Sequence, residues 1–203
     1  ITKWIFICVL IGVFSGCVSA IFLVSLEWVT QFRELNNWII WLLPVGGLCI
    51  GLLYHFYGRD VIKGNNLLLE EYENPKKTIP LKMAPMVLVS TLITHLFGGS
   101  AGREGTAVQM SGAIADQFTG LLKLDYTDRK ILIILGISAG FASVFGTPLT
   151  GAIFALEVLY FSKINYKSII LSFPTAYISY FTVEFWKIKH THYFIPTVPE
   201  LSI

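Results

Sequence analysis

Long apolar stretches separated by short polar segments dominate the chain. The stretches that carry no charged side chain are Trp4–Leu26, Trp38–Phe56, Met83–Gly102, Gly105–Ala115, Ile131–Leu156 and Ser168–Val183. A helix needs about 20 apolar residues to cross roughly 30 Å of hydrocarbon. The first, second, third and fifth stretches reach that length, whereas Gly105–Ala115 predicts a half-length helix. The pattern predicts an all-α polytopic membrane protein, with residues 1–203 forming a single transmembrane domain.

Turn and cap residues divide these stretches into shorter helices. Pro80 is expected to open a helix that runs through Met83–Phe97 and stops at the following glycine pair. The Gly146-Thr147-Pro148 step should break Ile131–Leu156 into two helices. A short helix with an asparagine cap is predicted at Gly64–Tyr72, and a final helix at about residues 166–186.

Composition strengthens the membrane interpretation. Hydrophobic residues make up 54% of the 203 positions, charged residues make up 14%, and the mean hydropathy is +0.66. Water-soluble domains of this size do not normally reach such values. The formal net charge of +2 is too small and too dispersed to indicate nucleic-acid binding. The three cysteines lie inside apolar stretches, where cysteine acts as a small hydrophobe.

Basic residues are distributed unevenly between the polar segments, which indicates an orientation. The segment 58–82 carries Arg59, Lys63, Lys76, Lys77 and Lys82, whereas the preceding polar segment has only one basic residue. By the positive-inside tendency, segment 58–82 and the N-terminus face the cytoplasm. We expect a multi-pass protein of the cell membrane, most simply a bacterial inner membrane. The first residue is not methionine, which indicates a fragment.

The glycine-rich segment Gly98–Thr106 is where we expect the chemistry. It lies between an apolar spanning helix and the predicted half-length helix, so it places a helix N-terminus inside the membrane. The unpaired amide groups and positive dipole end of such a terminus form an anion site. Broken helices at membrane depth are tolerated where they line a cavity, and they mark the central site of many transporters.

Glu104 is a carboxylate within this segment, and ionisable residues at membrane depth are functional candidates. Burial favours the protonated form of a carboxylate, whereas a helix N-terminus favours the ionised form. A side chain that occupies the helix end when ionised and leaves it when protonated would link anion exchange to proton exchange. This mechanism requires residue 104 to lie beside the helices that begin near residues 65 and 105. The alternative is an Arg103–Glu104 ion pair in an ordinary loop.

The motifs around Glu104 resemble those of a known family. Gly102-Arg103-Glu104-Gly105-Thr106 is similar to the G-R-E-G-P signature of CLC chloride channels and proton-coupled transporters, and Ala107–Gly112 resembles the continuation of that helix. Gly136–Phe141 and Phe145–Glu157 are similar to the family's next helix pair. Gly64–Leu68 occupies the place of its G-S-G-I-P anion motif.

Two departures from the family pattern resemble its fluoride-exporting branch. Thr106 stands where proline is usual, and Asn65 stands where chloride-selective members have serine. The asparagine amide offers two donors where a hydroxyl offers one. The resemblance implies fluoride/proton antiport with Glu104 as gate and proton carrier, and leaves a chloride/proton antiporter or a passive chloride channel as alternatives. The implied anion-contacting residues are Gly64, Asn65, Asn66, Gly102, Arg103, Gly105 and Thr106.

The resemblance also implies an architecture of two inverted repeats, of which this chain is the first. It implies a homodimer whose interface includes helices near residues 148–160 and 166–186. The expected partners are a small anion, protons and the lipid bilayer. No cofactor, metal or enzymatic activity is expected.

A few weaker signals compete with this interpretation. Gly136-Ile137-Ser138-Ala139-Gly140 spells G-x-S-x-G, so an intramembrane serine protease with His95 as base is a remote alternative, although that motif requires a strand–turn–helix context. His190 and His192 lack a third ligand for a metal. The acidic residues Glu70, Glu71 and Glu73 are expected to form a solvated face.

Overall fold

The computed structural model describes residues 2–158 and 166–188, and this part of the chain is helical without strands. The elements in chain order are α1 (Thr2–Leu35), a 3-10 helix (Asn37–Leu42), α2 (Leu43–Tyr57), α3 (Asn65–Glu73), α4 (Met83–Leu96), α5 (Arg103–Leu121), α6 (Tyr126–Phe145), α7 (Pro148–Val158) and α8 (Tyr166–Phe185). The predicted all-α fold with short, broken helices is confirmed. Thr2–Leu35 and Asn37–Tyr57 are each long and apolar enough to cross a membrane.

Helix α6 forms the centre of the bundle. It packs against α1, α5, α7 and α8, and 14 of its 20 residues are buried. Small residues allow this packing, because a Cβ atom on Gly140 would lie 2.6 Å from the carbonyl oxygen of Ala107 on α5. By contrast, only Gly46 is buried among the 15 residues of α2. Leu53 and Tyr54 pack against the core, and most other apolar side chains of α2 face outward from the bundle.

A buried ion cluster joins three helices near the start of α6. Arg129 Nε donates to Asp116 Oδ1 at 2.7 Å, and Arg129 Nη1 donates to Glu71 Oε2 at 3.1 Å. Asp116 is on α5 and Glu71 is on α3. Both carboxylates also accept backbone N–H bonds, from Ile79 to Asp116 and from Lys76 and Lys77 to Glu71. The expected solvated position of Glu71 is wrong, because its side chain is paired with Arg129 and buried.

The cluster also explains why α5 is longer than predicted. The helix runs for 19 residues, about 29 Å at 1.5 Å per residue, rather than over Gly105–Ala115 alone. The uncharged stretch that predicts the half-length helix ends at Ala115, one residue before the charged Asp116. Because Arg129 neutralises it within the core, the helix continues past it to Leu121.

Other helix boundaries differ from the predictions by a few residues. The asparagine cap on α3 is wrong, because the cap residue is Gly64 and no side chain caps the helix. Pro80 does not open α4; its carbonyl accepts from the amide of Met83, which is the first helical residue. The predicted break at Gly146–Pro148 is confirmed, with Gly146 in the left-handed region at φ 68°. The predicted final helix is confirmed as α8.

Candidate anion site at two helix N-termini

The first turns of α3 and α5 open onto the same cavity, which has a volume of about 130 Å³. Its polar lining consists of Asn65 from α3 and Glu104 and Gly105 from α5. The other lining residues are Leu68, Leu69, Val108, Ile137, Phe154 and Val158, from α3, α5, α6 and α7. The cavity therefore presents two helix ends, one amide and one carboxylate within apolar walls.

The start of α5 leaves backbone donors free. Gly102 is the cap residue, with an extended backbone at φ −70° and ψ 131°, and no side chain caps the helix. The amide groups of the first turn, on Arg103, Glu104 and Gly105, have no acceptor within the helix. Together with the helix dipole they make this turn electropositive. The turn is thus suited to hold either a carboxylate or a small anion.

The start of α3 is formed by a glycine that no other residue replaces easily. Gly64 has φ 57° and ψ −128°, in a region that side chains rarely adopt. The amide of Asn66 donates to Lys63 O at 3.1 Å, so that N–H is used within a turn. Asn65 and Asn66 are both exposed, but Asn65 lines the cavity and Asn66 does not. Of the asparagine pair, Asn65 is the member placed to contact an anion.

A third polar side chain, Gln109, lies between the two helix starts. A Cβ atom on Gly105 would be 3.3 Å from Asn65 Nδ2 and 3.7 Å from Gln109 Nε2. A Cβ atom on Gly64 would be 3.4 Å from Gln109 Nε2. The sequence did not single out Gln109, although its position four residues after Gly105 puts it on the same helix face. Its amide therefore lies beside the starts of both helices, outside the lining of the cavity.

Glu104 has the predicted neighbours but not the predicted burial. Its side chain lines the cavity with Asn65, beside the opening turns of α3 and α5, and it is exposed in this chain. Arg103 and Glu104 both belong to a helix turn, and no ion pair joins them in the part of the chain described. The arrangement is therefore not the loop ion pair considered as an alternative.

The remaining predicted site residues lie outside the cavity lining. Thr106 is buried, and its Oγ1 lies 2.7 Å from Thr91 Oγ1 on α4 and donates to Gly102 O at 3.2 Å. Its hydroxyl thus fixes the first turn of α5 against α4. Gly102 and Arg103 are exposed at the start of the same turn. These residues shape the turn, and Asn65, Glu104 and Gly105 face the cavity.

The structure does not assemble the serine protease site. Gly136–Gly140 lies within the continuous helix α6, and the buried Ser138 Oγ donates to Ser172 O at 3.1 Å. His95 is on α4, where its Nδ1 lies 2.9 Å from Thr91 O. His190 and His192 fall outside the described residues. Within residues 2–158 and 166–188, no group of three or more His, Cys, Asp or Glu side chains could hold a metal.

Comparisons with known proteins agree with the motifs. A family model described as "Voltage gated chloride channel" matches residues 46–203. A "Chloride/fluoride channel protein" from Pseudomonas syringae pv. tomato is 50% identical over 203 residues, which is 100% of this chain and 45% of that protein. An "H(+)/Cl(-) exchange transporter ClcA" from Vibrio vulnificus is 27% identical over 190 residues, covering 83% of this chain and 40% of the relative.

A solved structure gives the same result. The crystal structure of a CLC-type fluoride/proton antiporter superposes with a TM-score of 0.90 at 34% identity, covering 100% of this chain and 51% of that one. This chain therefore spans about half the length of the relatives that it matches. The resemblance and the fold class predicted from the sequence are both confirmed.

Proposed function

We propose, on the premise that this chain belongs to the CLC family of voltage-gated chloride channels and transporters, that the complete protein is a fluoride/proton antiporter gated by Glu104. The observation that carries this proposal is the shared cavity at the N-termini of α3 and α5, into which Glu104 and Asn65 both project. An activity of the whole protein also requires residues outside this chain, which spans about half of its relatives.

The exchange follows from competition for one electropositive position. In the ionised state, the Glu104 carboxylate accepts hydrogen bonds from the free amides of the α5 first turn and excludes an anion. When the carboxylate takes up a proton, it becomes neutral and is no longer attracted to the electropositive helix end. A fluoride ion can then occupy that position while the neutral side chain turns away. In this scheme the fluoride ion enters from the side opposite to that from which the proton came. When the side chain releases its proton to the fluoride's side of origin and returns to the helix end, it displaces the fluoride ion toward the proton's side of origin, so the two ions move in opposite directions.

Asn65 and its neighbours favour fluoride over chloride in this scheme. Fluoride is small and strongly hydrated, so its site must supply several short hydrogen bonds to replace water. The Asn65 amide and the free N–H groups of the α5 first turn are donors at one small cavity, and the Gln109 amide lies beside Gly105, outside the cavity lining. A relative at 50% identity is named for both chloride and fluoride, so chloride/proton exchange and passive conduction remain the alternatives.

Replacing Asn65 with serine in the complete protein is expected to lower the ratio of fluoride to chloride transport about tenfold. Serine has one donor where asparagine has two, so the change removes one charge-assisted hydrogen bond, for which about 1.5–3 kcal/mol is typical. Chloride loses part of the same stabilisation, so we expect a difference of about 1.4 kcal/mol between the two anions, which is tenfold. The measurement is efflux from liposomes, followed with fluoride-selective and chloride-selective electrodes. Asn66→Ser is the matched control, because Asn66 is exposed outside the cavity lining. Equal ratios of fluoride to chloride transport in the two variants would show that Asn65 does not determine anion selectivity.

We further propose that the chain is the first of two repeats in a multi-pass inner-membrane protein. Segment 58–82 and the N-terminus face the cytoplasm in this arrangement, and α7 and α8 contribute to a homodimer interface. Leu149, Ile153, Ile170 and Phe181 expose apolar side chains on these two helices. Ile170→Trp in the complete protein should shift the dimer toward monomer in cross-linking experiments; an unchanged dimer would exclude this face.

A further inference from the structure

We propose that a second cleft, away from the anion cavity, binds the phosphate headgroup of an anionic membrane lipid through Lys76 and Lys77. The cleft has a volume of about 390 Å³ and lies between the segment after α3, the end of α5 and the start of α6. Lys76, Lys77 and Thr78 form one wall, and Leu124, Asp125 and Tyr126 form the other. This inference depends on insertion of the chain in a membrane and is independent of the antiport mechanism.

The two lysines differ from others in the same segment. Lys63 is paired with Glu70 at 2.6 Å, and Lys82 is paired with Asp60 at 2.6 Å. Within the described ranges, neither Lys76 nor Lys77 has a carboxylate in ion-pair distance. Their ammonium groups are therefore available to an external anion.

The backbone that carries the lysines is held in place by the buried ion cluster. Glu71 Oε2 accepts from the amides of Lys76 at 2.9 Å and Lys77 at 3.1 Å. Arg129 Nη2 donates to the carbonyl of Lys77 at 2.6 Å. Arg129 is paired with two carboxylates, Asp116 and Glu71, so it positions the segment and adds no attraction for an anionic ligand. A fixed backbone lowers the entropy cost of binding.

The charge balance of the cleft suits a phosphodiester. Apart from the compensated Arg129, its charged lining residues are Lys76, Lys77 and Asp125. Asp125 is the cap of α6, and its Oδ1 accepts from the amide of Asp128 at 2.7 Å. Because Arg129 is already paired with two carboxylates, the ammonium groups of Lys76 and Lys77 are the cations of the lining that can pair with the negative charge of a phosphodiester headgroup.

The surroundings favour a lipid over a soluble phosphate compound. Tyr126 on the rim is 69% exposed, and the neighbouring Leu121 is 73% exposed. An exposed tyrosine beside apolar side chains at a helix end is typical of the membrane–water interface. Basic pockets between membrane helices at such an interface bind anionic lipid headgroups. An acyl chain leaving the cleft would follow the apolar surface beside Leu121 and Leu124.

The test uses the complete protein, stripped of lipid in detergent and titrated with phosphatidylglycerol under native mass spectrometry. Lys76→Gln combined with Lys77→Gln should weaken binding about thirtyfold. Each basic residue near an anionic headgroup contributes about 1 kcal/mol, which is a factor of about five in affinity, and the two factors multiply. Lys63→Gln combined with Lys82→Gln removes the same charge from the same segment and should change affinity less than about threefold. Equal losses in the two double variants, or no loss in the first, would overturn the proposal.

Two further binding measurements distinguish a lipid headgroup from a soluble phosphate compound as the ligand of the cleft. Phosphatidylcholine, which has no net charge, should bind the wild-type protein as weakly as phosphatidylglycerol binds the Lys76→Gln, Lys77→Gln variant. Millimolar glycerol phosphate or inorganic phosphate should leave bound phosphatidylglycerol in place. Displacement by either compound would assign the cleft to a soluble phosphate ligand and reject the lipid proposal.

Discussion

Replacing Glu104 with glutamine in the complete protein is expected to abolish proton movement driven by a fluoride gradient. Glutamine has nearly the same shape as glutamate but binds no proton near neutral pH. The side chain could still lie at the α5 N-terminus, but it could not carry a proton away from it. The expected proton flux equals the leak of protein-free liposomes. The measurement is external pH in a weakly buffered liposome suspension after a fluoride gradient is imposed.

The control for this result is another carboxylate outside the site. Glu34 is 65% exposed near the end of α1, where its partner is Arg33. Glu34→Gln should keep the wild-type proton flux. Wild-type flux in the Glu104→Gln protein would exclude Glu104 as the proton carrier, even if anion transport persisted. Fluoride efflux measured in the same vesicles shows whether the variant is folded and inserted.

Replacing Arg129 with methionine is expected to cost about 3–5 kcal/mol of stability, the loss typical of removing one partner from a buried ion pair. The variant leaves the buried carboxylates of Asp116 and Glu71 without their cation. Because Arg129 links α3, α5 and α6, the helices that carry Asn65 and Glu104 would lose their common anchor. The measurement is the melting temperature of the complete protein in detergent, by size-exclusion chromatography after heating.

An exposed arginine provides the comparison for Arg129. Arg59 hydrogen-bonds within its own turn to His55, so Arg59→Met should melt within a few degrees of wild type. Adding Asp116→Asn and Glu71→Gln to Arg129→Met removes the uncompensated charges and should recover part of the loss. Identical melting temperatures for Arg59→Met and Arg129→Met would show that the cluster does not hold the three helices together.

The sequence predicted the helix order because the relevant signals are local. Apolar stretches, the Gly146-Thr147-Pro148 step and the glycines before Arg103 each act within a few residues. These signals put the start of α5 next to Glu104, although the helix begins at Arg103 rather than near residue 105 and includes Glu104 in its first turn. The cap of α3 was assigned one residue late, because asparagine is a favoured cap. The positive φ of Gly64 that forms this cap is a property of the folded turn.

Contacts between residues far apart in the chain could not be predicted from local sequence patterns. Glu71 lies in an acidic run that looks solvated, and its partner Arg129 is 58 residues away in the chain. Asp116 directly follows the uncharged stretch Gly105–Ala115, and its cation, Arg129, is 13 residues away in the chain. The exposure of Glu104 is also beyond local prediction.

Proton uptake on fluoride binding tests the central claim most directly, because the claim is that Glu104 and the anion exclude each other from the α5 helix end. Adding fluoride to the complete protein in weakly buffered detergent should displace the carboxylate, which then takes a proton from solution. A pH indicator should record uptake of up to one proton per subunit in the wild type and none in Glu104→Gln. Fluoride binding without proton uptake, or equal uptake in both proteins, would contradict the account.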